Sequence, residues 1–165
     1  HDKRYEKALT QLDLHLLENP THLRAITLKA AILLGSSDDL DPARVVVAKT
    51  LCREVLAQEP LCYEALVLLA MAIYREGLEP AASMPHLKSA IFLQPSRWLP
   101  HFYLAQTYEV LGETTMAAQE YQVVLYRMGQ AGGWLDHGFD FLPLSFSSDE
   151  LVHFCHVRLK QIHGS

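Results

Sequence analysis

Three prolines impose a register on this chain. Pro20, Pro60 and Pro95 each close an apolar segment ("LDLHLLENP", "LCREVLAQEP", "SAIFLQP") and each precede another. Ten residues after each proline stands an alanine, Ala30, Ala70 or Ala105. Two residues before that alanine comes a large side chain (Leu28, Leu68, Tyr103), and three after it another (Leu33, Ile73, Tyr108). Gly77 and Gly112 lie seventeen residues after the second and third prolines. Counting backwards, the residue twelve before each proline is small (Ala8, Ala48, Ser83), and the residue four before it is Leu16, Leu56 or Ile91. Apolar residues recur at three- and four-residue spacing and no segment alternates with period two, so the fold class is all-α. Each unit then reads as two helices that cannot bury their stripes alone and must stack on the next unit.

The proline spacings are 40 and 35 residues. Their excess over a unit of about 34 falls in the intra-unit turns, "GSSDDLDP" and "EGLEPA", where insertions cost little. The period, the small-and-large pattern and the closing proline resemble the tetratricopeptide repeat. The best copy is "LAQTY" (Leu104, Ala105, Tyr108), followed by Gly112, Ala117 and Tyr121. "LAMAI" (Leu69 to Ile73) is a fair copy, and in "KAAIL" Lys29 replaces the leucine. The resemblance implies a right-handed superhelical solenoid of antiparallel helix pairs.

In that frame residues 1–128 are the repeats. Residues 3–18 read as the second helix of a truncated unit, so the chain is expected to be a piece of a longer protein. Helix pairs are expected over 21–58, 61–93 and 96–128, with Asp41 and Pro42 opening one helix, Ser96 capping another, and Gly129 ending the last in left-handed geometry. Residues 129–147 form an aromatic connecting segment (Trp134, Phe139, Phe141, Leu142, Leu144, Phe146), expected to pack on the solenoid. A capping box from Ser147 to Glu150 starts a last helix over 148–163, which caps the array.

Composition limits the function. Half of the residues are apolar and the net charge is −5, with Lys and Arg scattered among acids, so the electrostatic driver of nucleic-acid or anionic-membrane binding is missing. No apolar run reaches the length of a bilayer span and no leader pattern opens the chain, so a cytoplasmic location without membrane insertion is expected. Cys52, Cys62 and Cys155 lack CxxC spacing and sit among apolar residues, which suits reduced core thiols.

Searching for chemistry yields little. "GQAGG" lacks the preceding strand and glycine spacing of a phosphate cradle and reads as a helix stop. His153, His156 and His163, with Asp149 and Cys155, lack a zinc signature. No GxSxG elbow marks a nucleophile, and Asp38 and Asp39 sit in a polar turn. The chain is therefore read as no enzyme, with no catalytic or metal-binding residues and no cofactor of its own.

What the resemblance implies instead is a concave groove lined by the first helix of each unit. The positions are Arg24, Thr27, Ala31 and Leu34, then Glu64, Val67, Met71 and Tyr74, then Leu99, Phe102, Gln106 and Glu109. They lack the Lys, Arg and Asn of a carboxylate clamp, so the expected groove is apolar, with Met71, Tyr74 and Phe102 at its centre and a protein or peptide segment as occupant. "ALVLLAMAIYREG", "AIFLQPSRWLPHFYLAQTYEVLG", "AAQEYQVVL" and the "LPLS" at Leu142 to Ser145 also look like the C-terminal repeats of CheR-type chemoreceptor methyltransferases. That resemblance covers about residues 50 to 160. It implies a regulatory or targeting module in chemotaxis signal transduction, attached to an S-adenosylmethionine-dependent protein-glutamate methyltransferase. The partner is then a chemoreceptor or the methyltransferase domain itself. The alternative is a structural or self-association scaffold whose groove is filled by its own tail. Exposure of Met71 and Tyr74 favours the first reading, and their burial under Phe139 or Phe141 the second.

Overall fold

The computed structural model describes residues 2–35, 41–139 and 146–164. Asp38, Asp39 and Phe141 to Ser145 lie outside them. Among the described residues the regular structure is entirely helical: α1 (Asp2–Glu18), α2 (Leu23–Gly35), α3 (Pro42–Gln58), α4 (Tyr63–Glu76), α5 (Met84–Leu93), α6 (Leu99–Val110), α7 (Thr114–Met128) and α8 (Ser148–His163). Two single 3₁₀ turns, Pro80–Ser83 and Gly133–Leu135, complete it. No described helix is long and apolar enough to cross a membrane.

The same turn is built at each register proline. The residue before it donates its N–H to the carbonyl four back (Asn19 to His15, Glu59 to Val55, Gln94 to Ala90), closing the helix. That residue's carbonyl then accepts from the residue two after the proline (His22, Cys62, Arg97), at 3.1, 3.2 and 3.2 Å. Proline serves here because it disfavours helical geometry in the residue before it, so the chain leaves the helix at one defined place. The next helix begins three residues on at Leu23 and Tyr63 but four on at Leu99, whose N-cap is Trp98 and not Ser96. In this unit the Trp98 N–H donates to Asp136 O, and Pro100 takes a first-turn position where no intrahelical donor is needed.

At the other end of the units Gly77 and Gly112 take φ of +72° and +78°, the left-handed geometry that ends a helix without a Cβ penalty. Gly129 does not: its φ is −74°, and α7 ends in right-handed geometry with the Gly129 N–H on Leu125 O. Asp41 caps α3 through its carboxylate on the Ala43 N–H. Ser147 and Glu150 form the reciprocal capping box of α8. The second helix of the pair expected over 61–93 is split at its start, because Pro85 has no N–H and its ring would meet the carbonyl of Ala81 in a continuous α-helix. Residues 80–83 wind as 3₁₀ and α5 starts at Met84.

Each helix from α1 to α8 packs on the next, and α4 also packs on both α2 and α6. These three form an inner layer centred on α4, where ten of fourteen residues are buried. The small positions of the sequence register lie where helices approach closely: Ala30, Ala48, Ala70, Ser83 and Ala105 are all fully buried. One continuous core runs from Leu9 through the inner helices to Leu151 and Cys155 of α8.

Candidate functional site

On each inner helix the expected groove residues recur every three or four positions and so share one side. The side is not one open surface. Leu34, Val67, Met71 and Leu99 are all closed, Met71 at 3% exposure, because they belong to the continuous core. Met71 is therefore not at the centre of an accessible groove. Of the remaining positions all but Glu109 line two clefts, Ala31 and Phe102 among them although both are also core residues. Arg24, Thr27, Ala31 and Glu64 line a cleft of about 370 Å³ in front of α2, walled by Leu12 and His15 of α1 on one side and by Phe139 on the other. Tyr74, Phe102 and Gln106 line a second, of about 430 Å³, whose far wall is Phe146, Leu151 and Phe154.

Part of the chain's own connecting segment, residues 134–139, lies against the inner helices. Trp134 stacks on the buried Trp98 with centroids 5.4 Å apart and planes 16° from parallel, and the Trp98 indole N–H donates to Trp134 O at 3.1 Å. Arg97 pairs with Asp136. The Tyr63 hydroxyl donates to His137 O at 2.7 Å, and the Phe139 ring lies 5.8 Å from that of Tyr63. Residues 134–139 thus form a strap over the N-terminal ends of α6 and then α4, reaching the α2 cleft at Phe139. Gly138 has φ +90°, and a Cβ there would run into the Tyr63 ring, so only glycine lets the strap lie this close. Burial lowers the His137 pKa, with Arg97 acting in the same direction, which favours the neutral ring. Its Nδ1 accepts the Phe139 N–H at 3.1 Å.

The last helix holds the far end of the inner face. Phe154 and Phe146 each sit with ring centroids 5.8 Å from that of Phe102. Glu109, expected in the groove, is instead engaged by Arg158 of α8, whose Nε donates to the two carboxylate oxygens at 3.0 and 3.1 Å. The Tyr121 hydroxyl also donates to Glu109. Burial first, and then this carboxylate, raise the Tyr121 pKa and keep the phenol protonated. Tyr74 is half-buried and meets Tyr103 edge to face at 6.2 Å.

The α2 cleft joins an apolar floor to a polar rim. Ala25, Leu28 and Ala31 lie within it, and His15, His22, Arg24 and Glu64 border it. His15 Nε2 and His22 Nδ1 approach to 2.6 Å, one sharing a proton with the other. Nothing in the spacing around Pro20 flagged these histidines, because they come from different elements that meet only after the turn folds. Cys52, Cys62 and Cys155 are free, and burial pushes the thiols of Cys52 and Cys155 up to about 12, far from a reactive thiolate. His153, His156 and His163 gather no third ligand among the described residues. No protein-family model matches this chain, and no curated protein sequence matches it significantly.

Proposed function

We propose that the chain is a protein-interaction module of tetratricopeptide type, with α2, α4 and α6 as inner helices, α3, α5 and α7 as outer ones, and α8 as the cap. The order of packing supports that reading, since each helix lies on the next and inner helices lie on inner helices. The threefold proline turn supports it as well. The observation that carries the function is the cleft before α2, where Arg24, Thr27, Ala31 and Glu64 converge on an apolar floor open to a partner segment. From the CheR-type resemblance, the setting is a cytoplasmic chemosensory pathway, and the partner a chemoreceptor segment or the attached methyltransferase domain.

The scaffold reading has its own support in the strap, because the Tyr63 to His137 bond and the Phe102 to Phe146 contact use in cis a surface that a partner would otherwise take. Affinity capture with three baits separates the two: the wild-type chain, Thr27→Lys in the cleft, and Gly138→Ala in the strap. The interaction reading expects a specific protein on the wild type that Thr27→Lys loses. Capture by none of the three leaves the scaffold.

A further inference from the structure

Tyr63 and Trp98 stand three residues past their register prolines and so hold the same place at the N-terminal ends of α4 and α6. The strap crosses both. Trp134 stacks on Trp98, and five residues later Phe139 meets Tyr63. Three strap carbonyls accept from donors fixed on these helix ends: Trp134 O from the Trp98 indole, Asp136 O from the Trp98 N–H, and His137 O from the Tyr63 hydroxyl. Every peptide carries such carbonyls, so the selection rests on side chains. The Arg97 guanidinium is already oriented by its own turn, its Nε donating to Gln94 Oε1 at 2.8 Å, and its Nη1 donates to the Asp136 carboxylate. Gly138 passes the Tyr63 ring where a Cβ would collide with it. The two helix ends thus read a tryptophan, an acid two places on, a glycine two further, and an aromatic ring directly after.

The strap is held as a ligand is held. Trp134, Asp136, His137, Gly138 and Phe139 are all only half-buried, and Leu135, between the two aromatic anchors, is 75% exposed. The side chains beneath are closed, Trp98 at 0% and Tyr63 at 5% exposure. Lifting the strap alone would bare two large rings and leave Arg97 without its carboxylate. Its departure is therefore cheap only in exchange for a segment of the same chemistry.

We propose that the strap is an autoinhibitory stand-in for a partner segment, and that Tyr63, Arg97 and Trp98 form the binding site for a short acidic and aromatic segment of the pattern Trp-x-Asp-x-Gly-Phe. The partner segment takes the strap's place, with its acid on Arg97 and its indole on Trp98. While the strap is down the site is shut. Because the strap is tethered to α7, a free segment competes with an effective concentration on the order of millimolar, the scale of short linkers. Binding in trans is weak until the strap is loosened. This site rests on the interaction-module reading but not on the cleft before α2.

The probe is a labelled synthetic peptide with the sequence of residues 132–139, GGWLDHGF, titrated into the full chain. The wild type should bind it weakly. Gly138→Ala and Asp136→Asn damage only the strap's own hold, so each should bind the peptide at least fivefold tighter than the wild type. Adding Arg97→Ala to either variant should abolish that gain, and so should a peptide that itself carries Asp136→Asn. Thermal melts check that each variant folds, and where Gly138→Ala does not, Asp136→Asn carries the test. A strap that is only a structural cover predicts the opposite: lower melting temperatures and no peptide bound by any variant. That result overturns the proposal, as does uptake that Arg97→Ala leaves unchanged, or variants that dimerise by exchanging straps and take up no peptide. A protein captured through Thr27 by a chain that binds no peptide leaves the interaction module standing and removes the strap site alone. Peptide uptake by a chain that captures nothing through Thr27 does the reverse, keeping the strap site and removing the cleft.

Discussion

α2 and α6 hold the same place in their units and meet different fates. At matching positions α6 carries Trp98, Phe102 and Tyr103, all buried, where α2 carries Leu23, Thr27 and Leu28, all half-buried. α6 is covered by α4 on one side, by α7 behind, and in front by the strap, Phe146 and the aromatic face of α8. α2 has α4 on one side, α3 behind and α1 beside it, but an open cleft in front. A register position is therefore not core or surface in itself. The neighbour that the chain supplies decides it, and the two ends of one inner layer were supplied differently.

The sharpest way to break this contrast is to truncate the same position at both ends. Trp98→Ala removes a fully buried indole, its stack on Trp134 and its hydrogen bond, and should cost about 3–5 kcal/mol in denaturant unfolding. Leu23→Ala, at the matching but half-buried site, should cost about 1 kcal/mol. Equal losses would mean that α2 is as covered as α6.

Gly138→Ala should come next, at roughly 1–3 kcal/mol, since the left-handed backbone and the Tyr63 ring both oppose a side chain. Fast amide exchange confined to residues 134–139 would locate the damage in the strap. Tyr63→Phe deletes only the hydroxyl that donates to His137 O and should cost about 1 kcal/mol. Exchange should rise in the strap and stay constant in α2.

The smallest effect is set by pH. With its pKa lowered in the folded chain, His137 stays neutral after the unfolded chain has begun to take up the proton. The stability from the neutral ring is whole above the ordinary value of 6.5 and is lost as pH falls toward the folded value. Acidification from neutrality should thus loosen the strap, seen as Trp98 and Trp134 fluorescence change, and His137→Gln should flatten that response.

Helical class, proline turns and caps were legible because each rests on a few adjacent residues. Asp41 with Pro42, and Ser147 with Glu150, satisfy helix N-termini locally, and the Pro20, Pro60 and Pro95 turns repeat one hydrogen-bond pattern. Where a local rule met a tertiary contact, the contact won. Ser96 yields its capping place to Trp98, whose N–H is claimed by Asp136, 38 residues away. Glu109 leaves the groove because Arg158 comes from the last helix to meet it.

The groove residues show the same division. The tetratricopeptide resemblance implied a groove containing Arg24, Thr27, Ala31 and Glu64, and these four do share a cleft. The resemblance could not show that Met71 is closed while Thr27 is only half-buried, because that depends on what lies across from each.

By itself, the sequence determined that this chain forms helices, where most of them turn, and which small residues permit close packing. Those properties follow from backbone geometry and from side chains within about one helical turn. Only the tertiary structure decided which stretch of the inner face stays open, because exposure depends on long-range neighbours: the strap that Tyr63 and Trp98 hold down, and the helix that Arg158 ties to α6.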